Sequence, residues 1–210
     1  ELSSAMYSLI KTENGIVDAY EKAAHQLTSV AHQLSAWGEA TEDEHISDIS
    51  DKLGVLMSEL ADVEENFAAE LEDSRVTLKQ IRNTESSVQP SRDQKQKLID
   101  QIHTLKHKDP QSPKLVDAEQ ALVRAEAENL VAEAQLTNIQ RHALKETYLL
   151  HFQAIIERAE KSLILADHGR RVLELLDDTP VVPGDSIAEY THEREAKQIL
   201  LDCESELQAY

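Results

Sequence analysis

From Leu115 onward a heptad pattern sets in: Leu115, Leu122, Asn129, Leu136 and Ala143 recur every seven residues, apolar but for Asn129, with Ala118, Ala125, Ala132 and Ile139 set between them. Such an a/d seam fits only a helix lying along another helix, and small d residues let the two approach closely. After Ala143 the stripe loosens to Leu144, Tyr148, Phe152, Ile155, Ala159, Leu163 and Ala166, until the turn DDTPVVPG closes the helix near Asp177. The segment before it reads the same way. Leu53, Leu56, Leu60, Val63, Phe67, Leu71, Leu78 and Ile81 keep helical spacing, and Leu98, Ile102 and Leu105 resume it beyond Pro90. The turn KDPQSPK, with two prolines and a serine, separates the two patterns.

Four helices are therefore expected, over about 2–37, 47–107, 114–177 and 186–210. Trp37-Gly38 ends the first, and an acidic connection, EATEDEH, leads to Ser47 as N-cap of the second. Asp48 and Asp51 then complement the helix dipole. Pro90 reads as a kink or a break, because proline removes one hydrogen bond and crowds the preceding turn. Residues 47–107 would span ~90 Å if wholly helical, at ~1.5 Å per residue. Helices of that length do not match those of a compact four-helix bundle. They predict an elongated antiparallel arm whose tip is Lys108–Lys114, with apolar stripes that one chain leaves uncovered, and hence a dimer.

Composition agrees with one all-α domain over 1–210. The chain has 210 residues, 40% of them hydrophobic, but only five glycines and five prolines. No uncharged apolar run reaches the ~18 residues of a membrane span. The single Cys203 has no partner for an internal disulfide, as expected of a reducing, cytosolic setting. The chain opens inside a helical pattern, so residues upstream of Glu1 are expected, and no signal-peptide pattern is present.

Charge is segregated. Arg75–Lys114 holds nine of the 21 Lys and Arg residues but four of the 40 acids, a local balance of +5 that leaves −24 for the rest of a chain carrying −19. A solvated helix usually interleaves both signs, so this stretch is built to meet something anionic or to neutralise a neighbouring helix. Arg75, Lys79 and Arg82, at i, i+4 and i+7, share one helical face.

Seven segments, ENGIVDAYEKAA, QLSAWGE, SDISDKLGVL, RVTLKQIRNTESSVQPSRDQKQK, KHKDPQSPK, LVRAEAENLVAEAQL and LELLDDTPVVPG, closely resemble the eisosome core components of fungi. These are primordial-sporophore-type BAR proteins, which coat furrows in the fungal plasma membrane, and the resemblance runs over nearly the whole chain. It implies a crescent-shaped BAR-domain dimer with itself or a paralogue. It also implies binding of phosphoinositide-rich, anionic membrane through a basic concave face, and self-assembly at the cytoplasmic side of the plasma membrane beside a cytosolic pool. The family's membrane-facing patch falls on Arg75, Lys79 and Arg82, with Lys11 at a further basic position. Its second cluster falls on Arg92, Lys95 and Lys97, although this chain carries Gln94 where the family has another basic residue. The family also has a region upstream of Glu1 that aids assembly and lipid contact.

Other chemistries are weaker fits. Glu42–His45 and Glu189–His192 match the E-x-x-H spacing of di-iron bundles, which needs an apolar core, whereas these lie in an acidic connection and at the start of a short helix. His103 and His107 share a face but sit among lysines, which oppose a metal cation. No phosphate loop, nucleophile triad or Cys/His cluster occurs, so neither an enzyme nor a cofactor is expected. Nucleic acid is disfavoured because no aromatic residue lies between Arg75 and Lys114 to stack on bases. A cytosolic scaffold whose basic face meets an acidic partner stays open, residues 39–73 themselves carrying thirteen acids and one lysine.

Overall fold

The computed structural model describes residues 2–184 and 188–210. Its described residues form four helices and no strand: α1 (Leu2–Ala40), α2 (Glu44–Lys108), α3 (Pro113–Leu173) and α4 (Glu193–Ala209). The fold is all-α. The start expected for α4, near Ser186, lies outside the described residues, and the helix itself begins at Glu193.

Several boundaries differ from the sequence reading. Helix α1 runs past Trp37-Gly38 because Gly38 is a packing position: a methyl there would lie 1.6 Å from Ser50 Oγ and 2.7 Å from Ser50 Cβ. Asp43 rather than Ser47 caps α2, its Oδ1 accepting from the amides of His45 (2.9 Å) and Ile46 (3.1 Å). Glu42, at φ 58°, turns the chain between the helices. Helix α2 continues through Pro90 without a break. Pro90 withdraws the amide that would bond to the Ser86 carbonyl, but both residues are exposed, so water can take its place. Helix α3 stops at Leu173, four residues before Asp177, and its end tightens through Leu175 N to Val172 O (3.1 Å) and Leu176 N to Leu173 O (3.2 Å).

Contacts divide the chain into two units. Unit 1 comprises Glu1–Asn14 and Asp73–Leu150, and unit 2 comprises Gly15–Glu72 and His151–Tyr210. In unit 1, α2 and α3 pair antiparallel about the KDPQSPK turn. The sevenfold seam turns toward α2 within the same chain: Ala118, Ala125, Leu136 and Ala143 are buried, Leu115 and Leu122 half-buried. The start of α1 adds Ile10 to a cluster with Leu78, Ile81 and Ala143, in which Leu78 is wholly buried. Full burial of one such side chain contributes about 1.5–3 kcal/mol.

Unit 2 has two clusters. Ile49, Leu56 and Val63 of α2 meet Leu165 and Val172 of α3 and Ile199 and Cys203 of α4. Val17 of α1, Phe67, Ala68 and Leu71 of α2, and Ala154 of α3 form the other, with the Tyr20 ring edge-on to Phe67 at 4.9 Å. The looser stripe of α3 is mostly left outside: Phe152 is 61% exposed, Ile155 37% and Leu163 62%.

Two glycines of α1 separate packing from propensity. Gly38→Ala should lower stability by about 1–3 kcal/mol, the range of overpacked sites. Gly15→Ala, whose new methyl meets nothing within 4 Å, should raise it by about 0.5–1 kcal/mol. Thermal unfolding followed by circular dichroism reads both, and a stabilised Gly38→Ala variant contradicts the close α1–α2 approach.

Candidate functional site: the basic face of α2

All seven basic residues singled out by sequence lie in unit 1. Arg75, Lys79 and Arg82 project from one face of α2, each half-buried. Arg82 donates from Nε and Nη2 to Asn83 Oδ1 at 3.3 and 3.0 Å, and Arg75 and Lys79 are each engaged with a neighbouring group. Leu78 and Ile81, each one residue before a cation of the set, anchor the same turns in the core, which fixes how the cations are presented. Lys11 is exposed on α1. It follows Ile10, a member of that same cluster, so packing brings Lys11 to the level of the α2 cations.

The second set behaves differently. Arg92 forks onto Glu133 of α3, Nε to Oε1 at 2.6 Å and Nη2 to Oε2 at 2.7 Å. Lys95 lies 3.9 Å from Glu126, and Lys106, farther along, lies 3.0 Å from Glu119. The hydrogen bonds from Arg92 hold the Glu133 carboxyl below its ordinary range and, reciprocally, raise the Arg92 guanidinium. Lys97 is exposed. The basic stretch therefore divides by use: three of its cations neutralise α3, one of the two purposes the sequence allowed. The partners had a visible signal, since Glu119, Glu126 and Glu133 follow the same sevenfold spacing as the seam. Recognising them needed the α2–α3 register.

Glu85 is the buried acid of the stretch, 6% exposed, with Oε1 accepting from Gln140 Nε2 at 2.8 Å. At the turn, the exposed rings of His103 and His107 stack edge-on at 4.8 Å. His45 contacts the Ala188 carbonyl at 2.9 Å, and the Tyr190 hydroxyl donates to Asp48 at 2.6 Å, so these groups tie the segment before α4 onto α2. No three His, Cys, Asp or Glu side chains gather as metal ligands among the described residues. No helix of the described residues is long and apolar enough to cross a membrane.

The Arg92–Glu133 pair generates a direct test. A double-mutant cycle with Ala at both positions should give a coupling of about 0.5–1 kcal/mol at pH 7. Because the folded-state carboxyl is lowered, that coupling is present above the ordinary range of Glu, 4.5, and fades as pH falls through and below it. A coupling unchanged under strong acid would mean that the two residues do not act as an ion pair.

The sequence of the chain can be set beside known proteins. The family model described as eisosome component PIL1 matches residues 1–210. The chain is 49% identical over its full length to the sphingolipid long chain base-responsive protein LSP1 of Saccharomyces cerevisiae, covering 61% of that protein. It is 48% identical over 99% of its length to the yeast protein PIL1 of the same description, again covering 61%. With the probable sphingolipid long chain base-responsive protein pil1 of Schizosaccharomyces pombe it shares 46% identity over all 210 residues, 60% of that protein. The chain thus spans about three-fifths of the length of these relatives. A match along every residue, with an all-α fold and no motif left over for another family, has one reading: the chain belongs to the eisosome component PIL1 family.

Proposed function

We propose that this protein is a non-enzymatic membrane scaffold. Two copies join through the uncovered stripe of α3. The basic face of α2 then meets phosphoinositide-rich plasma membrane from the cytoplasmic side, where assembled dimers form or stabilise eisosome furrows. The observation that carries this reading is the segregation of cations: Arg75, Lys79 and Arg82 share one partly exposed face in a stretch nearly empty of acids, with Lys11 exposed at their level. Lys97 adds exposed charge, while Arg92 and Lys95 offer only what their pairing with α3 leaves open. A membrane touches one face, so the −19 of the whole chain does not oppose it as it would oppose a wrapping polyanion. Membership of the eisosome family supports the location, and the relatives' names support a response to sphingolipid long-chain bases as well.

Each Lys or Arg near an anionic leaflet contributes about 1 kcal/mol. Three from each of two chains give at most ~6 kcal/mol, enough for reversible binding in the tens of micromolar. Exposed charges add only ~0–1 kcal/mol to folding. Replacing Arg75, Lys79 and Arg82 together by Ala should therefore abolish most co-sedimentation with liposomes containing phosphatidylinositol 4,5-bisphosphate. Helicity and melting temperature should barely move. Wild-type binding should fall steeply as salt rises. A triple variant that pellets like wild type would sink the membrane assignment and favour an acidic protein partner.

Assembly has its own measurement. Phe152→Glu with Leu163→Glu places two carboxylates on the uncovered stripe and should halve the mass seen by light scattering. A wild-type chain that is already a monomer at micromolar concentration contradicts the dimer.

A further inference from the structure

Unit 2 contains a groove that the basic face does not use. It lies between α2 and α4, with a volume of about 550 Å³. Small-ligand pockets occupy roughly 300–1,000 Å³. Its apolar side chains are Leu56 and Val63 of α2 and Leu200 and Leu207 of α4, continued at the surface by Val55 and Leu201, 44% and 49% exposed. Its rim carries Glu59, Asp62 and Glu204. Among the described residues neither Glu59 nor Asp62 has an ion-pair partner, and Glu204 accepts only a 3.2 Å hydrogen bond from Gln208. Partial burial, then the nearby charges of Asp62 and Glu204, hold the Glu59 carboxyl above its ordinary range, as expected of carboxylates crowded beside an apolar surface.

Two lysines also line the groove. Lys161 is already held by Glu157 and lies 5.8 Å from the Tyr210 ring centroid. Lys197 alone offsets the three carboxylates, so the rim stays net negative. A phosphate or carboxylate headgroup is repelled there, and a neutral lipid leaves the acids unpaired. An ammonium group within reach of two or three carboxylates makes charge-assisted hydrogen bonds, and an alkyl chain attached to it can cover the leucines and valines.

We propose that this groove binds a single-chain, long-chain amine, with the ammonium among Glu59, Asp62 and Glu204 and the alkyl chain along Leu200, Leu201 and Leu207. Naming the amine as a sphingoid base rests on the long-chain-base response proposed above, whereas the pairing of amine and alkyl chain rests on the groove itself. The basic face takes no part in it, so one molecule can carry anionic lipid and a cationic amphiphile at separate places.

The experiment uses the full 210-residue chain and a fluorescent eighteen-carbon sphingoid base below its aggregation concentration, without liposomes. Wild type should bind it saturably, and the N-acetylated base, which has lost its charge, at least tenfold more weakly. Glu59→Gln, Asp62→Asn and Glu204→Gln combined should weaken the amine at least tenfold while leaving helicity intact, since all three side chains are exposed. Leu201→Arg should do the same. The Arg75/Lys79/Arg82 alanine variant should bind the amine like wild type, which separates failure of the groove from failure of the membrane reading. Equal binding of the amine by the amide variant, equal binding of amine and N-acetyl forms by wild type, or no binding at all overturns the proposal. So does a loss of mass by Leu201→Arg in light scattering, which would give the groove to a second copy instead.

Discussion

Glu64 and Arg158 meet in unit 2, and the helices around them are held in step by that contact. Glu64 is 7% exposed, and Arg158 grips it with Nε and Nη2 at 2.8–2.9 Å. The guanidinium also lies 5.1 Å from the Tyr20 ring and 5.0 Å from the Phe67 ring, so α1, α2 and α3 all contribute. Burying the carboxylate costs several kcal/mol, which only a complete set of partners offsets, and losing one partner costs about 3–5 kcal/mol. Hydrogen bonding to Glu64 raises the Arg158 guanidinium, so the cation is kept at neutral pH. A slip of one residue between α2 and α3 would turn each side chain about 100° around its helix and leave the acid alone. The pair thus sets register more than it adds stability.

Register is what makes the rest of the charge pattern intelligible. In unit 1 the antiparallel pairing brings Arg92 to Glu133, Lys106 to Glu119 and Gln140 to Glu85. These contacts remove part of the stretch's positive charge on its α3 side. Arg75, Lys79, Arg82 and Lys97 lie outside these contacts with α3. The core imposes this geometry: the turns burying Leu78 and Ile81 are the turns that present Arg75, Lys79 and Arg82.

Much of this was written in periodicity. The sevenfold seam from Leu115 to Ala143 announced the α2–α3 pairing, and KDPQSPK announced its turn. The i, i+4, i+7 spacing of Arg75, Lys79 and Arg82 announced a shared face. Less legible was anything that depends on a second helix. Gly38 reads as a helix end because glycine usually is one, yet here Ser50 of α2 requires it. Pro90 reads as a kink or a break until it is seen to lie on an exposed side. Ser47 looks like a cap because Asp43, four residues earlier, hides in an acidic run. The partners Glu64 and Arg158 are 94 residues apart, and no local pattern joins them.

The same distinction separates the two apolar stripes of α3. Before Ala143 the stripe is narrow and rich in alanine, and one neighbouring helix covers it. Beyond Tyr148 the apolar residues spread around the helix, so a single neighbour cannot reach them all. Ala154, Leu165 and Val172 face the unit's interior, while Phe152, Ile156 and Leu163 face out. A monomer that exposes large side chains at this spacing carries a hydrophobic patch of the kind that marks an interaction surface. The periodicity of α3 thus changes along its length: α2 covers the seam of the first half, whereas the second half buries Ala154, Leu165 and Val172 and leaves an outward apolar row exposed. In the scaffold proposed above the two rows have separate tasks: the first gives each chain its shape, and the second is where chains would meet.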